Sequence, residues 1–372
     1  MTTGMSRKKA RSGFLSVVRA AVFACCVAVH AATPPKAPDA MKVVMYCDQG
    51  SGYDLEGRLL DECPEFIVTF ASGKEIGEGA LEGAALVVHS GGGGQTQFFG
   101  LGEKGVAAER EFIRKGGAYH GTCAGAFLVL EETRRKRNHM LPFKPDDPQM
   151  YRGGATVELE FTEEGLAAMG QKGPRMVRYH GGPAMIPGKS VEEANIKVFA
   201  YYGKKMTKIE NPKADVLGMA GKAAILAGTF GKGKIFVCGP HPESAPSTQD
   251  IFYKGVEWLV GRKIHPSPVP SDKDARKVYV KSGRSVPEGA RLSQKLWSDR
   301  KYKRVLSAQK CDVAVLINPK KKTFDGIKDF KGPVIVFATQ KEDRKAVEKS
   351  GRHDLIVVSS IDEALFKING TL

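Results

Sequence analysis

The sequence predicts an α/β protein: a parallel sheet with helices on both faces, followed by a second, smaller α/β module. Three observations predict it. From Met41 onward, short apolar runs alternate with polar, helix-like segments, as strands joined by crossover helices do. A middle region, about 150–235, is richer in strand-like runs. A proline-rich stretch, Ile264-His-Pro-Ser-Pro-Val-Pro-Ser-Asp272, reads as a linker, and the alternation resumes beyond it.

Taken in order, Lys42–Tyr46, Glu65–Phe70 and Ala84–His89 read as strands, with Asp54–Asp61 as a short helix between the first two. The third strand runs into four glycines, Gly91–Gly94. Gly105–Lys115 reads as a helix, and Ala118–Thr122 as a fourth strand that ends at Cys123, with another helix expected directly after it. Strands follow at Thr156–Phe161, Met176–His180, Lys197–Tyr202, Ala223–Thr229 and Ile235–Cys238. The glycines between the last two lack the GxxxxGK[ST] spacing of a phosphate loop, so they read as a hairpin turn. Gln249–Val260 reads as a helix. Past the linker, Lys277–Val280, Val313–Ile317, Val334–Phe337 and Leu355–Val358 read as strands. The domains expected are therefore 41–264 and 273–372, joined by 265–272, with the second separable from the first.

The N-terminal segment reads as a targeting signal. Arg7, Lys8, Lys9, Arg11 and Arg19 precede an apolar run, Ala20–Val29, far short of the ~20 residues a membrane-spanning helix needs. Small residues at Ala31 and Ala32 complete a secretory signal peptide, 1–31, cleaved after Ala31. A buried helix, or a lipoprotein signal with Cys25 lipidated, are the alternatives. Residues 32–40, with three prolines, read as an extended spacer. The expected location is outside the cytoplasm, in the periplasm or medium. Five cysteines then remain: Cys47, Cys63, Cys123, Cys238 and Cys311. Disulfides are permitted in that compartment, and an odd count leaves at least one thiol over; the pairing stays open. No Cys or His spacing suits a metal, and no metal or other cofactor is expected.

The net charge is +16, and residues 271–372 hold 23 Lys or Arg against 13 Asp or Glu. The basic character belongs mainly to the C-terminal module. Such a field steers anionic partners, here an anionic envelope polymer or an acidic protein. Nucleic acid is not expected, because only Trp297 and Tyr302 stand near the cluster Arg300, Lys301, Lys303 and Arg304, too few for base stacking.

Two short motifs carry chemistry. Gly121-Thr-Cys-Ala-Gly125 places a cysteine between a strand and a helix, the turn that presents a nucleophile with glycines leaving room beside it; the helix start favours a thiolate. Gly239-Pro-His-Pro-Glu-Ser244 follows a strand and spaces His241 and Glu243 so that a carboxylate can orient an imidazole acting as base and acid. Backbone amides of the glycine run and of Ala124 could receive an oxyanion.

These segments, Ser90-Gly-Gly-Gly93, Gly116-Gly-Ala-Tyr-His-Gly-Thr-Cys-Ala-Gly-Ala126, Tyr179-His-Gly-Gly-Pro183 and Gly231-Lys-Gly-Lys-Ile-Phe-Val-Cys-Gly-Pro-His-Pro-Glu243, resemble the class I glutamine-amidotransferase superfamily. More narrowly, they resemble the domain family named after the N-terminal region of biotin–protein ligase. The resemblance covers about residues 41–262. It implies a flavodoxin-like domain with Cys123 as nucleophile, His241 as base, Glu243 as its orienting partner, and amides of Gly92 and Ala124 as an oxyanion hole. Gly91, Gly93, His120 and His180 are the candidates for touching substrate. His120 stands where a larger apolar residue is expected, and Ser90 where a proline usually precedes the glycines. The implied chemistry is acyl transfer through a thioester on a small amide or peptide; a catalytically silent binding module is the alternative. The family name does not imply a biotin ligase, because no ligase adenylate loop is recognised.

Overall fold

The structure, a computed structural model, describes residues 35–131, 138–146, 153–210, 216–268 and 270–370. The expected signal peptide, including Cys25 and Ala31, lies outside the described residues. The first half is a run of β/α units: β1 (Met41–Tyr46), α1 (Asp54–Asp61), β2 (Phe66–Ala71), α2 (Gly73–Gly77), β3 (Ala84–His89), α3 (Gly94–Arg114), β4 (Ala118–Thr122) and α4 (Ala124–Val129). Then come β5 (Phe143–Pro145), β6 (Gly154–Phe161), α5 (Glu163–Met169), β7 (Arg175–His180), β8 (Met185–Pro187), β9 (Ala194–Thr207), β10 (Ala223–Phe230), β11 (Gly233–Cys238) and α6 (Gln249–Val260). The chain ends with β12 (Arg276–Ser282), α7 (Pro287–Ser298), β13 (Tyr302–Val305), β14 (Val313–Ile317), β15 (Val334–Phe337), α8 (Lys341–Glu348), β16 (Leu355–Val358) and α9 (Ile361–Gly370).

The larger sheet has the order β2-β1-β3-β4-β11-β10-β9-β6-β7. Its first five strands are parallel, and their order, with β1 inside β2, is that of a flavodoxin-like doubly wound sheet. The remaining strands of that path extend it antiparallel. Continuous apolar runs mark the parallel part because both faces are covered. Val43, Met45, Val68, Phe70, Leu86 and Val88 face a core shared with α1 and α6, whereas Val44, Tyr46, Val87 and Tyr119 face the core under α3 and α4.

The second sheet, β13-β12-β14-β15-β16, is wholly parallel and repeats the same winding order. Helix α7 serves both halves. Its Leu292 and Leu296 sit in the smaller sheet's core, while Ala290 joins the core that holds Leu59, Leu60 and Phe70. Trp297 packs edge-on to Phe70, ring centroids 6.2 Å apart, and its indole N–H donates to Asp61 Oδ2 at 3.2 Å. Gln294 donates to Asp61 Oδ1 at 3.1 Å. Arg304 pairs with Asp54, and the Ser285 hydroxyl donates to the Ser51 carbonyl.

Besides the short elements α2, β5, α5 and β8, which the sequence reading does not include, three elements differ from expectation. Helix α3 starts at Gly94 rather than Gly105, with a break at Gly102 (φ 63°, ψ 174°); its glycines weaken the helical signal even though Gln97 and Leu101 are buried. Strand β9 runs for 14 residues, well beyond Lys197–Tyr202. The basic cluster around Lys303 and Arg304 is itself a strand, β13, at a sheet edge, where charged side chains are common because they discourage edge-to-edge pairing. Cys47, Cys63, Cys123, Cys238 and Cys311 are free thiols. Among the described residues, no helix is long and apolar enough to cross a membrane.

Candidate functional site

Strands β4 and β11 run side by side with Thr122 opposite Cys238, so the residues that leave them emerge from one edge of the sheet. Strand β3 lies on the other side of β4, with His89 opposite Gly121, and delivers the glycine run to the same edge. Open parallel sheets bind ligands at this carboxyl edge.

Cys123 has φ 50° and ψ −98°, a conformation that costs a side-chain-bearing residue of order 1–3 kcal/mol. The flanking glycines make it possible. A Cβ on Gly121 would lie 2.7 Å from the Gly125 carbonyl group, and one on Gly125 would lie 2.1 Å from the His89 oxygen. The Cys123 N–H donates to the Cys238 carbonyl at 2.8 Å, and the Tyr119 hydroxyl donates to the Gly125 carbonyl at 2.8 Å. The sulfur is buried, with the His180 carbonyl 3.7 Å away.

His241 is anchored by its N–H to the Arg178 carbonyl at 2.7 Å. Its Nδ1 lies 2.7 Å from Glu243 Oε1. The Gln249 side chain and the Thr248 hydroxyl hold the turn by donating to the carbonyls of Glu243 and Pro242. Burial alone would depress the imidazolium, but hydrogen bonds to Cys123 and Glu243, and the charges of both, outweigh it and raise His241 to about 11. The structure thus brings Cys123, His241 and Glu243 together.

Of the three candidate glycines, Gly91 faces this group: a Cβ there would stand 2.7 Å from His241 Cε1 and 3.7 Å from Cys123 Cβ. Gly92 and Gly93 turn toward the loop Gly50–Gly52. Gly93 donates its amide to the Gly50 carbonyl at 2.8 Å, so that amide is engaged, and Gly92 forms a bridge with Ser51. Ala124 opens α4, where the first amides lack intrahelical acceptors.

Two expectations are corrected. His120 does not line the site. Alternation along β4 sends Tyr119 to one core and His120 to the other, where its ring stacks on Phe236 at 5.5 Å and meets Phe252 edge-on at 5.1 Å. Burial pushes its pKa down to about 3. His180 offers the site its carbonyl, but its ring is exposed, 4.0 Å from Glu210, which pairs with Arg178.

Sequence reasoning missed two features. The first lies beneath the glycine loop. His89 Nδ1 meets Gln97 Oε1 at 3.0 Å and His89 Nε2 meets Glu109 Oε1 at 2.6 Å. Gln97 in turn donates to the carbonyls of Ser90 at 2.9 Å and Gly50 at 3.1 Å, tying both loops to one buried network. The only sequence signal was a histidine closing an apolar strand. The second is Glu56 on α1, 2 % exposed and close to Glu243 and His241; a glutamate in a short polar helix gives no warning of burial. Among the described residues, no group of three or more His, Cys, Asp or Glu is arranged to hold a metal.

Chemically, the arrangement is a buried thiol on a strained turn, beside an imidazole held by a carboxylate, with a glycine backbone close enough to admit a small polar group. Residues 148–265 match the family model described as biotin-protein ligase, N terminal; Cys123 precedes that stretch, whereas His241 and Glu243 lie within it. No curated protein matches the sequence. Solved structures with some similarity include a beta-galactosidase from Rahnella sp. R3 (14% identity, TM-score 0.37, covering 58% of this chain and 31% of that one). A cytoplasmic protein of Salmonella typhimurium LT2 is 15% identical, with TM-score 0.36 and coverage of 59% and 98%. A ThuA-like protein of Bacteroides uniformis is 11% identical, with TM-score 0.42 and coverage of 62% and 96%. The chain spans about a third of the beta-galactosidase's own length, and at TM-scores below 0.5 none of these likenesses bears on function. The family match thus identifies residues 148–265 with the biotin–protein ligase N-terminal domain, a domain of the class I glutamine amidotransferase-like type.

Proposed function

We propose that this site is a cysteine-dependent acyl-transfer centre that hydrolyses a small amide or peptide bond. The observation that carries the reading is Cys123 on its strained turn beside His241, whose Nδ1 is 2.7 Å from Glu243 Oε1. In the proposed cycle the Cys123 sulfur attacks the amide carbon. The oxyanion is received by the Ala124 amide and the glycine loop at Gly91–Gly92. The C–N bond breaks, and the leaving amine takes its proton from the His241 imidazolium. His241 then removes a proton from water, which attacks the thioester, and the acid leaves as the thiolate re-forms. Glu243 keeps the imidazole in orientation throughout. The work is done by a proton on His241 that is already in place, because its charged form is favoured.

The test is labelling by iodoacetamide at neutral pH, read by mass spectrometry at Cys123, alongside hydrolysis of an amide library that includes glutamine and cell-wall peptides. Wild type should label rapidly at Cys123, and His241→Ala should slow it by about tenfold or more. Cys123→Ser should fold and hydrolyse nothing. Equal, slow labelling of wild type and His241→Ala would instead support a silent binding module.

A further inference from the structure

Four buried oxygens around the site lack a well-formed hydrogen bond: Glu56 Oε1, Glu243 Oε2, Ser90 Oγ and Thr122 Oγ1, although the two hydroxyls lie near enough to the Glu56 carboxyl to pull on it. They come from α1, from the turn after β11, and from the ends of β3 and β4. They surround one side chain, because the Glu56 carboxyl stands beside the Thr122 and Ser90 hydroxyls and feels the charges of Glu243 and His241. Glu243 uses only Oε1 on His241, so its second oxygen is left to face this cluster.

Charge counting constrains what Glu56 can be. The cycle proposed above runs through a Cys123 thiolate and a His241 imidazolium held by the Glu243 carboxylate. Ionising Glu56, itself 2 % exposed, would put a third negative charge beside the buried Glu243, against a single cation. Two carboxyls that share a buried site do not both ionise. We infer that Glu56 is a positioning residue of this site: it stays neutral and donates its carboxyl proton to Oε2 of Glu243, fixing the carboxylate that holds His241. The inference rests on the acyl-transfer reading above. Burial first, and the charge of Glu243 second, push Glu56 up to about 8, against the opposing pull of Thr122, His241 and Ser90. The titratable groups that face it are Glu243, His241 and the buried Cys238 thiol at the end of β11. β3 and β4 contribute neutral hydroxyls, and α7 meets α1 through Gln294 and Trp297, which bond Asp61.

A carboxylic acid in this role differs from a carboxylate: an amide of the same shape can replace it. The full chain is enriched with carboxyl-13C glutamate and the Glu56 signal is assigned by its loss in Glu56→Gln, or in Glu56→Asp should the amide variant fail to fold. Titration of wild type should show Glu56 gaining its charge near pH 8. A signal that moves below pH 5 overturns the inference. In parallel, the labelling rate of Cys123 is followed from pH 6 to 10. Glu56→Gln should match wild type at pH 7 to within about twofold while losing the inflection near pH 8, whereas Glu56→Ala should slow labelling by about tenfold. If Glu56→Gln is as slow as His241→Ala, Glu56 acts as an anion and the inference fails. An unreactive Cys123 in wild type would instead sink the acyl-transfer reading, and the titration would still decide the protonation of Glu56.

Discussion

Helix α7 belongs to two cores, and Trp297→Ala tests whether that makes the two sheets one cooperative unit. Trp297 packs on Phe70, on Gly57 at 3.5 Å from the position of an added Cβ, and bonds Asp61. Truncating a buried tryptophan costs about 3–5 kcal/mol. Trp297 is only partly buried, so the packing loss should be about 2–3 kcal/mol. The Asp61 carboxylate keeps Gln294 and Lys36 as donors to Oδ1, at 3.1 and 3.5 Å, so the lost hydrogen bond adds about 1 kcal/mol or less. A total near 3 kcal/mol should lower the melting temperature by roughly 6 °C, taking about 2 °C per kcal/mol for a chain of this size. The chain has two tryptophans, so in this variant fluorescence reports only Trp258, on α6 of the larger sheet. Circular dichroism reports both sheets. One transition, lowered equally by both probes and by calorimetry, is expected. Two transitions, with the Trp258 signal unmoved from its wild-type temperature, would refute the shared wall. They would bear out the expectation, drawn from the proline-rich linker, that residues 273–372 separate from the rest.

The remaining predictions concern the site and the chain start. Gly91→Ala should displace the His241 ring by several tenths of an ångström, since its Cβ would lie 2.7 Å from Cε1; Cys123 labelling at pH 7 should fall by about tenfold or more with the far-UV spectrum unchanged. Glu56 is raised from its ordinary value of 4.5 to about 8, so its contribution to stability is fully present below about pH 4.5 and is lost as pH rises through 8. Urea unfolding at pH 5, 7 and 9 should show that loss in wild type and a flatter profile in Glu56→Gln. His241 is raised from 6.5 to about 11, so its contribution is full below pH 6.5 and disappears only as pH rises through 11, which the same series extended to pH 11 would read. The exported form should begin at Ala32, as N-terminal sequencing of protein from the envelope or medium would reveal; an intact Met1 in a cytosolic fraction would remove the export proposal.

What could be read from the sequence follows from burial. Strands such as Ala84–His89, Val313–Ile317 and Val334–Phe337 match expectation at both ends because they are buried on both faces and therefore continuously apolar. Strand β13 escaped because an edge strand need bury little, and Tyr302-Lys-Arg-Val305 carries charge where an inner strand carries valine. Cys123, His241 and Glu243 stood out because tight turns demand glycine and proline at fixed offsets, and those residues flank them. Glu56, His89, Gln97 and Glu109 did not, because a polar residue looks the same in sequence whether it faces water or a buried partner on another element. His120 was misplaced for a related reason. It sits three residues before Cys123, but direction along a strand, not nearness in sequence, decides which side it serves.

The Ser285 hydroxyl reaches the Ser51 carbonyl, and Ser51 is bridged to Gly92, one residue from the glycine that faces His241. The smaller, basic half of the molecule therefore braces the loop that borders Cys123 and His241. Free energy depends only on state, so coupling through such a brace is mutual. A change that shifts Ser285 is felt at the loop Gly91–Gly93, and a change at that loop is felt at Ser285 in equal measure.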